Sequence, residues 1–226
     1  MKRLHLLLTI VTLLAAFTVG CGDDKSNSRL RIVHDSPDAP NVDVVVNGDT
    51  VATNVPYKAA SPYLPVRSGA TEIKVRPTGT TTDVIDAKIT AAEKTDYTVL
   101  ATNLVASIEP LVLTDDNTPP AAGKVKVRLV HGAPSAPPVD IYVSAPGADI
   151  NAATPTLTNV PFKAASAYLS VDAGSYQVRV TPTGTKIVVI DSGTLALTAG
   201  QIRTAVAVDN TGGGAPFGAI VLSDLN

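Results

Sequence analysis

The segment TNVPYKAASPYLPV at residues 53–66 returns as TNVPFKAASAYLSV at residues 158–171, identical at 11 of 14 positions. A match this dense, 105 residues apart, marks an internal duplication, and the duplication decides the architecture. Outward from it, Arg31-Ile32-Val33-His34 returns as Arg128-Leu129-Val130-His131. Pro37, Ala39, Pro40, Val42 and Asp43 return as Pro134, Ala136, Pro137, Val139 and Asp140. The PTGT turn at 77–80 returns at 182–185, and Val84-Ile85-Asp86 as Val189-Ile190-Asp191. Each copy closes alike, with VLTDDN at 112–117 and VLSDLN at 221–226. The offset grows from 97 to 105 to 109, so the second copy gains eight residues between Val143 and Thr158 and four more before Val221. Both gains fall in stretches rich in Gly, Pro, Ala and Asn, where surface loops absorb insertions.

Within each copy the apolar residues alternate: Leu30 and Ile32; Val42, Val44 and Val46; Ile73 and Val75; Val125, Val127 and Leu129; Val139, Ile141 and Val143; Val178 and Val180. A period of two in Val, Ile, Thr and Tyr, punctuated by Gly and Pro, predicts half-buried strands. After the N-terminal segment no long 3.6-residue period appears. The expected fold is all-β: two tandem antiparallel β-sandwiches of seven or eight strands each, immunoglobulin-like in type. A single closed barrel spanning both copies is the weaker alternative. The implied organisation is a signal segment at 1–20, a polar tether at 21–28, repeat 1 at 29–117, a proline-bearing linker at 118–123 and repeat 2 at 124–226.

The N-terminus reads separately. Met1-Lys2-Arg3 is basic, and Leu4 to Gly20 is nearly all apolar or small. That run is too short and too interrupted by threonine for a membrane span, and it has the pattern of a secretory signal. Phe17-Thr18-Val19-Gly20-Cys21 resembles the lipobox of bacterial lipoproteins, with Thr18 departing from the usual leucine. The resemblance implies cleavage before Cys21, lipid on that cysteine, and partnership with a membrane through the acyl chains. Several acyl chains at about 0.8 kcal/mol per buried methylene anchor stably where one does not. Gly22, rather than aspartate, follows the cysteine, which implies the outer membrane or cell surface in a cell that has one. Loss of Lys2 and Arg3 from the 18 basic residues leaves 16 against 20 acidic ones.

The repeated pieces RIVHDSPDAPNVDVVVNG, NVPY/NVPF, SxYLxV and PTGT together resemble the bacterial family known as domain of unknown function 4397, twice over residues 29–226. The resemblance implies an envelope-anchored or secreted module, and it supplies no catalytic residue.

Composition narrows the function. Hydrophobic residues at 45% support a packed core, while 17% charged residues and a net charge of −2 argue against nucleic-acid binding. A single cysteine excludes an intrachain disulfide and a cysteine-rich zinc site. No tryptophan and 4% aromatics leave little for stacking on sugars. His34 and His131 are the histidines of the two repeats, each nine residues before an aspartate, Asp43 or Asp140. Such a pair suits a general base or half a metal site. The parities differ, however: His34 shares the inward phase of Leu30 and Ile32, while Asp43 is out of phase with Val42 and Val44. The favoured reading is a histidine that shapes the following loop. Asp115-Asp116-Asn117 beside the linker suggests a calcium junction. Its return as Asp224 and Asn226 at the chain end assigns it instead to the last strand of each repeat. Tyr63 and Tyr168 are read as packing residues, with surface contact as the alternative. The expectation is a non-catalytic envelope lipoprotein for adhesion, scaffolding or protein binding, with no metal and no cofactor. The alternatives are a glycan- or peptide-binding module and, less favoured, a metal-dependent or His-based hydrolase. The enlarged loops 144–157 and 209–218 are the expected contact surfaces.

Overall fold

The computed structural model describes residues 28–224. The segment holding the signal and Cys21 lies outside the described residues.

Repeat 1 contains β1 (Ser28–Asp35), β2 (Val42–Val46), β3 (Asp49–Val55), β4 (Leu64–Val66), β5 (Gly69–Pro77), β6 (Ile85–Ala91), β7 (Asp96–Thr102) and β8 (Glu109–Asp115). Repeat 2 contains β9 (Lys124–His131), β10 (Val139–Ser144), β11 (Leu157–Val160), β12 (Leu169–Asp172), β13 (Gly174–Pro182), β14 (Ile190–Asp191), β15 (Leu195–Leu197), β16 (Ile202–Val208) and β17 (Gly218–Ser223). Each repeat is a sandwich. Repeat 1 pairs sheet β4-β1-β7-β8 with sheet β3-β2-β5-β6. Repeat 2 pairs sheet β12-β9-β16-β17 with sheet β11-β10-β13-β14, and β15 joins β13. Among the described residues no barrel closes across the two copies. The ladders are antiparallel except for one parallel pair in each repeat, β1 with β7 and β9 with β16. In both, the first strand of the repeat lies beside its penultimate strand.

The two sandwiches stack through their β1- and β9-bearing sheets, giving four layers. Alternation along β1 shows why. Leu30 and Ile32 enter the interior of repeat 1 with Val44, Val46, Ile73 and Val99. Val33 points the other way and joins Leu100, Leu113, Val130, Val206, Val208, Ile220 and Leu222. That second cluster draws residues from both repeats and forms a shared core. Every residue of β7 is accordingly buried. Burial of both faces is unusual for a largely antiparallel sheet, which commonly leaves one face in water.

The eight-residue insertion after β10 folds back on its own repeat. Lys186 Nζ donates to Ile150 O and Ala153 O, each at 2.7 Å, and Arg179 donates to Ala148 O at 2.5 Å. Ile150 of the insertion and Tyr142 of β10 are both buried.

Candidate functional site

Both histidines close the loop that follows their strand. His34 Nδ1 accepts from the Ser36 amide at 3.3 Å, and His34 Nε2 meets Pro40 O at 3.1 Å. His131 repeats this with the Ala133 amide at 3.3 Å and Pro137 O at 3.1 Å. An amide facing Nδ1 and a carbonyl facing Nε2 select the neutral tautomer protonated on Nε2. Burial holds both imidazoles below their ordinary value, opposed by the bond to the proline carbonyl. Edge-on aromatics complete each pocket: Tyr57 stands 6.0 Å from His34 and Phe162 stands 6.2 Å from His131. Neither ring has a nitrogen free for a metal or a substrate proton.

The structure does not bring the aspartates to the histidines. Asp43 Oδ1 accepts the Asn54 amide at 2.8 Å and the Thr78 hydroxyl at 3.0 Å. These bonds hold its carboxyl below the usual range, the Asn54 amide first among them. Asp140 accepts the Asn159 amide at 2.8 Å and the Gly184 amide at 2.9 Å. Asn54 and Asn159 have φ of 54° and 49°, and Gly79 and Gly184 have 78° and 76°. Each aspartate thus ties a left-handed asparagine to the left-handed glycine of the PTGT turn.

Tyr63 and Tyr168 belong to a different constellation, at the junction of the repeats. The Arg31 guanidinium lies 4.6 Å from the Tyr63 ring centroid, and Arg128 lies 4.7 Å from that of Tyr168. Arg31 donates to Asp224 Oδ1 at 2.5 Å and to Ser223 O at 3.0 Å, crossing into repeat 2. Arg128 donates to Asp115 Oδ1 at 2.5 Å and to Thr114 O at 3.0 Å, crossing into repeat 1. Each carboxylate then returns to its own repeat. Asp115 Oδ2 accepts from Tyr63 and Thr98, both at 2.6 Å. Asp224 Oδ2 accepts from Tyr168 at 3.0 Å and Thr204 at 2.8 Å. Burial pushes both tyrosine hydroxyls well above their ordinary range, so they remain donors. The arginine side chains are 4% exposed and the aspartates 0%, so the charges are fully desolvated and need every one of these partners.

This corrects the assignment of Asp115 and Asp224 to the last strand alone. They end the last strands and also form the junction, as ion-pair partners. The two repeats, related by a pseudo-two-fold axis, each contribute a last strand to the same interface. Around the Asp116 part of the motif, the carboxylate meets Lys126 Nζ at 2.6 Å, and Thr118 caps it. Among the described residues no group of three or more His, Cys, Asp or Glu has the arrangement of a metal site.

The symmetry breaks around Asp35. Asp35 of β1 corresponds to Gly132 of repeat 2. A Cβ built on Gly132 would stand 2.3 Å from Asp35 Oδ2, so the carboxylate occupies the space that the glycine leaves. Asp35 Oδ2 accepts from Thr102 Oγ1 at 2.9 Å, and Asp209 Oδ2 accepts the Gly214 amide at 2.9 Å. Asp35 Oδ1, Asp209 Oδ1 and Ser36 Oγ are buried without a hydrogen-bond partner among the described residues. Burial first, then the neighbouring Asp209 charge, raises the Asp35 carboxyl well above its ordinary value, while Thr102 and Lys58 oppose. The 209–218 loop covers this region, with the Gly212 amide on Pro37 O at 2.7 Å and Tyr57 Oη on Asp209 O at 2.9 Å. That enlarged loop therefore contacts repeat 1 of the same chain.

A family model described as "Domain of unknown function (DUF4397)" matches residues 28–142 and 143–226. Its division differs from that of the strands, which separate between Asp115 and Lys124. No curated protein matches the chain. The chain is similar to a solved structure described as alpha-glucan binding by a streptococcal virulence factor, at 11% identity over 87% of this chain and 97% of that one, with a TM-score of 0.28. It is similar at the same 11% to a family 26 carbohydrate-binding module of Eubacterium rectale Amy13K in complex with maltoheptaose, over 88% and 98% of the chains, with a TM-score of 0.27. Likenesses at these scores carry no argument about function.

Proposed function

The chain belongs to the DUF4397 family, and from that premise we propose that it is a non-catalytic envelope lipoprotein whose two repeats act as one rigid scaffolding or binding block. One observation carries the reading: the reciprocal exchange of Arg31 to Asp224 and Arg128 to Asp115, which welds the repeats across a shared core. A rigid block presents a fixed surface, as scaffolding and adhesion require. Binding across a preformed surface also avoids the entropic cost of ordering domains on contact. The histidines support the reading because their ring nitrogens are committed to loop closure. Cys21 supplies the anchor, and the polar segment that follows it is the tether.

Fractionation of cells carrying the wild type and Cys21→Ala tests the anchor. The wild type is expected in the membrane fraction and the variant in the soluble fraction. A variant that stays with the membrane removes lipid anchoring from the proposal.

A further inference from the structure

The duplication provides an internal control, and repeat 2 departs from it in its interior and at the junction. In the interior, register places Ala205 of β16 where β7 has Val99. Gly193, at φ 61°, splits the strand equivalent to β6 into β14 and β15. An apolar cleft of about 380 Å³ lies between the sheets there, bordered by Val178, Ala205 and Val221. That departure is one of packing. The departure at the junction is one of charge.

The pseudo-two-fold axis relates Lys58 to Lys163 and Asp35 to Gly132. The registers of the last two strands of each repeat relate Asp209 to Asn103 and Gly218 to Glu109. On one side of the axis the acid is at the rim. Lys163 Nζ meets Glu109 Oε1 at 2.8 Å, both side chains being 39% exposed, and Asn103 Nδ2 donates to the same oxygen at 3.3 Å. On the other side Gly218 takes the place of that glutamate, and a Cβ built on it would stand 3.8 Å from Lys58 Nζ. The negative charge has moved inward, to Asp35 of repeat 1 and Asp209 of repeat 2, both buried.

The segment that follows Asp209 lies across the two repeats. It holds repeat 1 through the Gly212 amide on Pro37 O and the Asp209 carbonyl under Tyr57 Oη. Residues 210–217 carry no titratable side chain, and Gly212, Gly213 and Gly214 have φ of 89°, 98° and 75°. Around the two carboxylates, β7 supplies Thr102, the segment after β3 supplies Tyr57 and Lys58, and β9 supplies His131. His34, next to Asp35 on β1, has its ring on the Ser36 amide and Pro40 O. Burial first, then the two aspartate charges, keep the Tyr57 hydroxyl protonated. Burial keeps His131 neutral although the Asp209 charge acts against it. Lys58 is the cation that opposes ionised Asp209 at Asp35, and burial outweighs it.

Two like charges cannot both persist in this place without water. Asp35 is fixed between β7 and Gly132, inside the sheets. The glycine segment carries no core side chain and belongs to the low-stability end of the molecule. We propose that residues 210–217 form a proton-operated clasp, docked on repeat 1 while Asp35 is protonated and released when Asp35 and Asp209 are both charged. Docking engages the Gly212 amide and the Asp209 carbonyl within the chain, and release frees them for another partner. The clasp requires neither the lipid anchor nor the scaffolding role.

The docked state binds one proton that the released state has lost. Release therefore grows by about tenfold per pH unit between 3.8 and the raised value of the docked state, and levels off above it. Hydrogen exchange of the intact protein from about pH 5 to about pH 9, corrected for the intrinsic rate at each pH, tests this. In the wild type, protection of the amides of Asn210, Gly212, Gly213 and Gly214 is expected to fall with that slope while protection of β7 and β16 is kept. Asp35→Asn is expected to keep the clasp docked and its protection independent of pH. Asp209→Asn is expected to do the same, since its amide oxygen still accepts from Gly214, and it serves as the second variant if the first does not fold. Wild-type protection that does not change with pH overturns the clasp. A slope retained in both variants overturns the carboxylates as its trigger. An equal loss in β7 and β16 overturns local release in favour of unfolding of the whole block.

Discussion

Repeat 1 and repeat 2 share their strand motifs, their histidine-closed loops and their half of the junction, yet they spend their interiors differently. In repeat 1 the sheets meet through Leu30, Ile32, Val44, Ile73 and Val99, all buried, and β6 runs unbroken along the edge. In repeat 2 the buried cluster is reduced to Leu129, Val139, Ile141 and Val180, with a wide margin of partly exposed aliphatics. The outer elements diverged while the ion-pair residues of the face toward the partner repeat were kept, Arg31 as Arg128, Tyr63 as Tyr168 and Asp115 as Asp224. What the two copies hold in common is therefore the junction. What distinguishes them is an interior sealed in one and opened in the other.

The strongest way to break this comparison is at the junction, where the repeats are expected to behave alike. Removing one partner of a buried ion pair leaves the other charge desolvated and unpaired, at a cost of about 3–5 kcal/mol. Arg31→Ala and Arg128→Ala are each expected to lower stability by that amount in urea unfolding, with the two values close to each other. Since each arginine bridges both repeats, unfolding should remain a single transition in the wild type. A neutral Arg128→Ala beside a costly Arg31→Ala would show that the symmetry is only geometric.

Much of this was legible in the sequence, and the limit has a physical cause. The phase of Leu30, Ile32 and His34 shows which face of β1 enters its own sandwich, and the structure places them there. The opposite phase, Arg31, Val33 and Asp35, reads as a solvent face because it carries charges. Period-two patterning reports which residues share a face, but not whether a second core lies against the polar one. The signal that was present is β7, whose sequence DYTVLAT lacks any clearly exposed phase. The junction residues Arg31, Arg128, Asp115 and Asp224 lie within the duplicated motifs, but their pairing is fixed by the stacking of sheets, which no local pattern encodes. The same holds for the cleft. Gly193 is one of the four residues gained before Val221, and without the register its effect on strand continuity cannot be read.

At the interiors the repeats should respond with opposite sign. Val99→Ala in repeat 1 removes two methyl groups from a filled core and should cost about 2 kcal/mol, transfer and cavity terms together. Ala205→Val in repeat 2 restores the repeat 1 residue inside an open cleft and should gain about 0.5–1 kcal/mol. Thermal or urea unfolding of the two variants beside the wild type reads both. A loss on Ala205→Val would mean that the cleft is held open by strain rather than by missing volume.

The smallest expected effect concerns a place where the junction itself departs from symmetry, Asp35 opposite Gly132. Burial and the Asp209 charge raise the Asp35 carboxyl well above its ordinary value, so the folded state holds its proton at pH values where the unfolded chain has released it. Between the ordinary value of 3.8 and the raised folded value, the native state binds more protons, and this group's contribution to stability falls as pH rises. His34 and His131 act in the opposite sense. Burial lowers both below 6.5, so the unfolded chain takes up their protons first and stability is lost as pH falls below that value. Asp35→Asn removes the first dependence and leaves the second. Its amide also offers a donor near Asp209, whose Oδ1 has no hydrogen-bond partner among the described residues. The variant should be more stable than wild type by about 1 kcal/mol at neutral pH, the cost of a buried group left unsatisfied. The advantage should shrink as pH falls toward 3.8, where Asp35 is protonated in both states. Urea unfolding of both proteins across that range measures the difference directly. A constant difference at every pH would place the benefit in packing against Gly132 instead of in the proton.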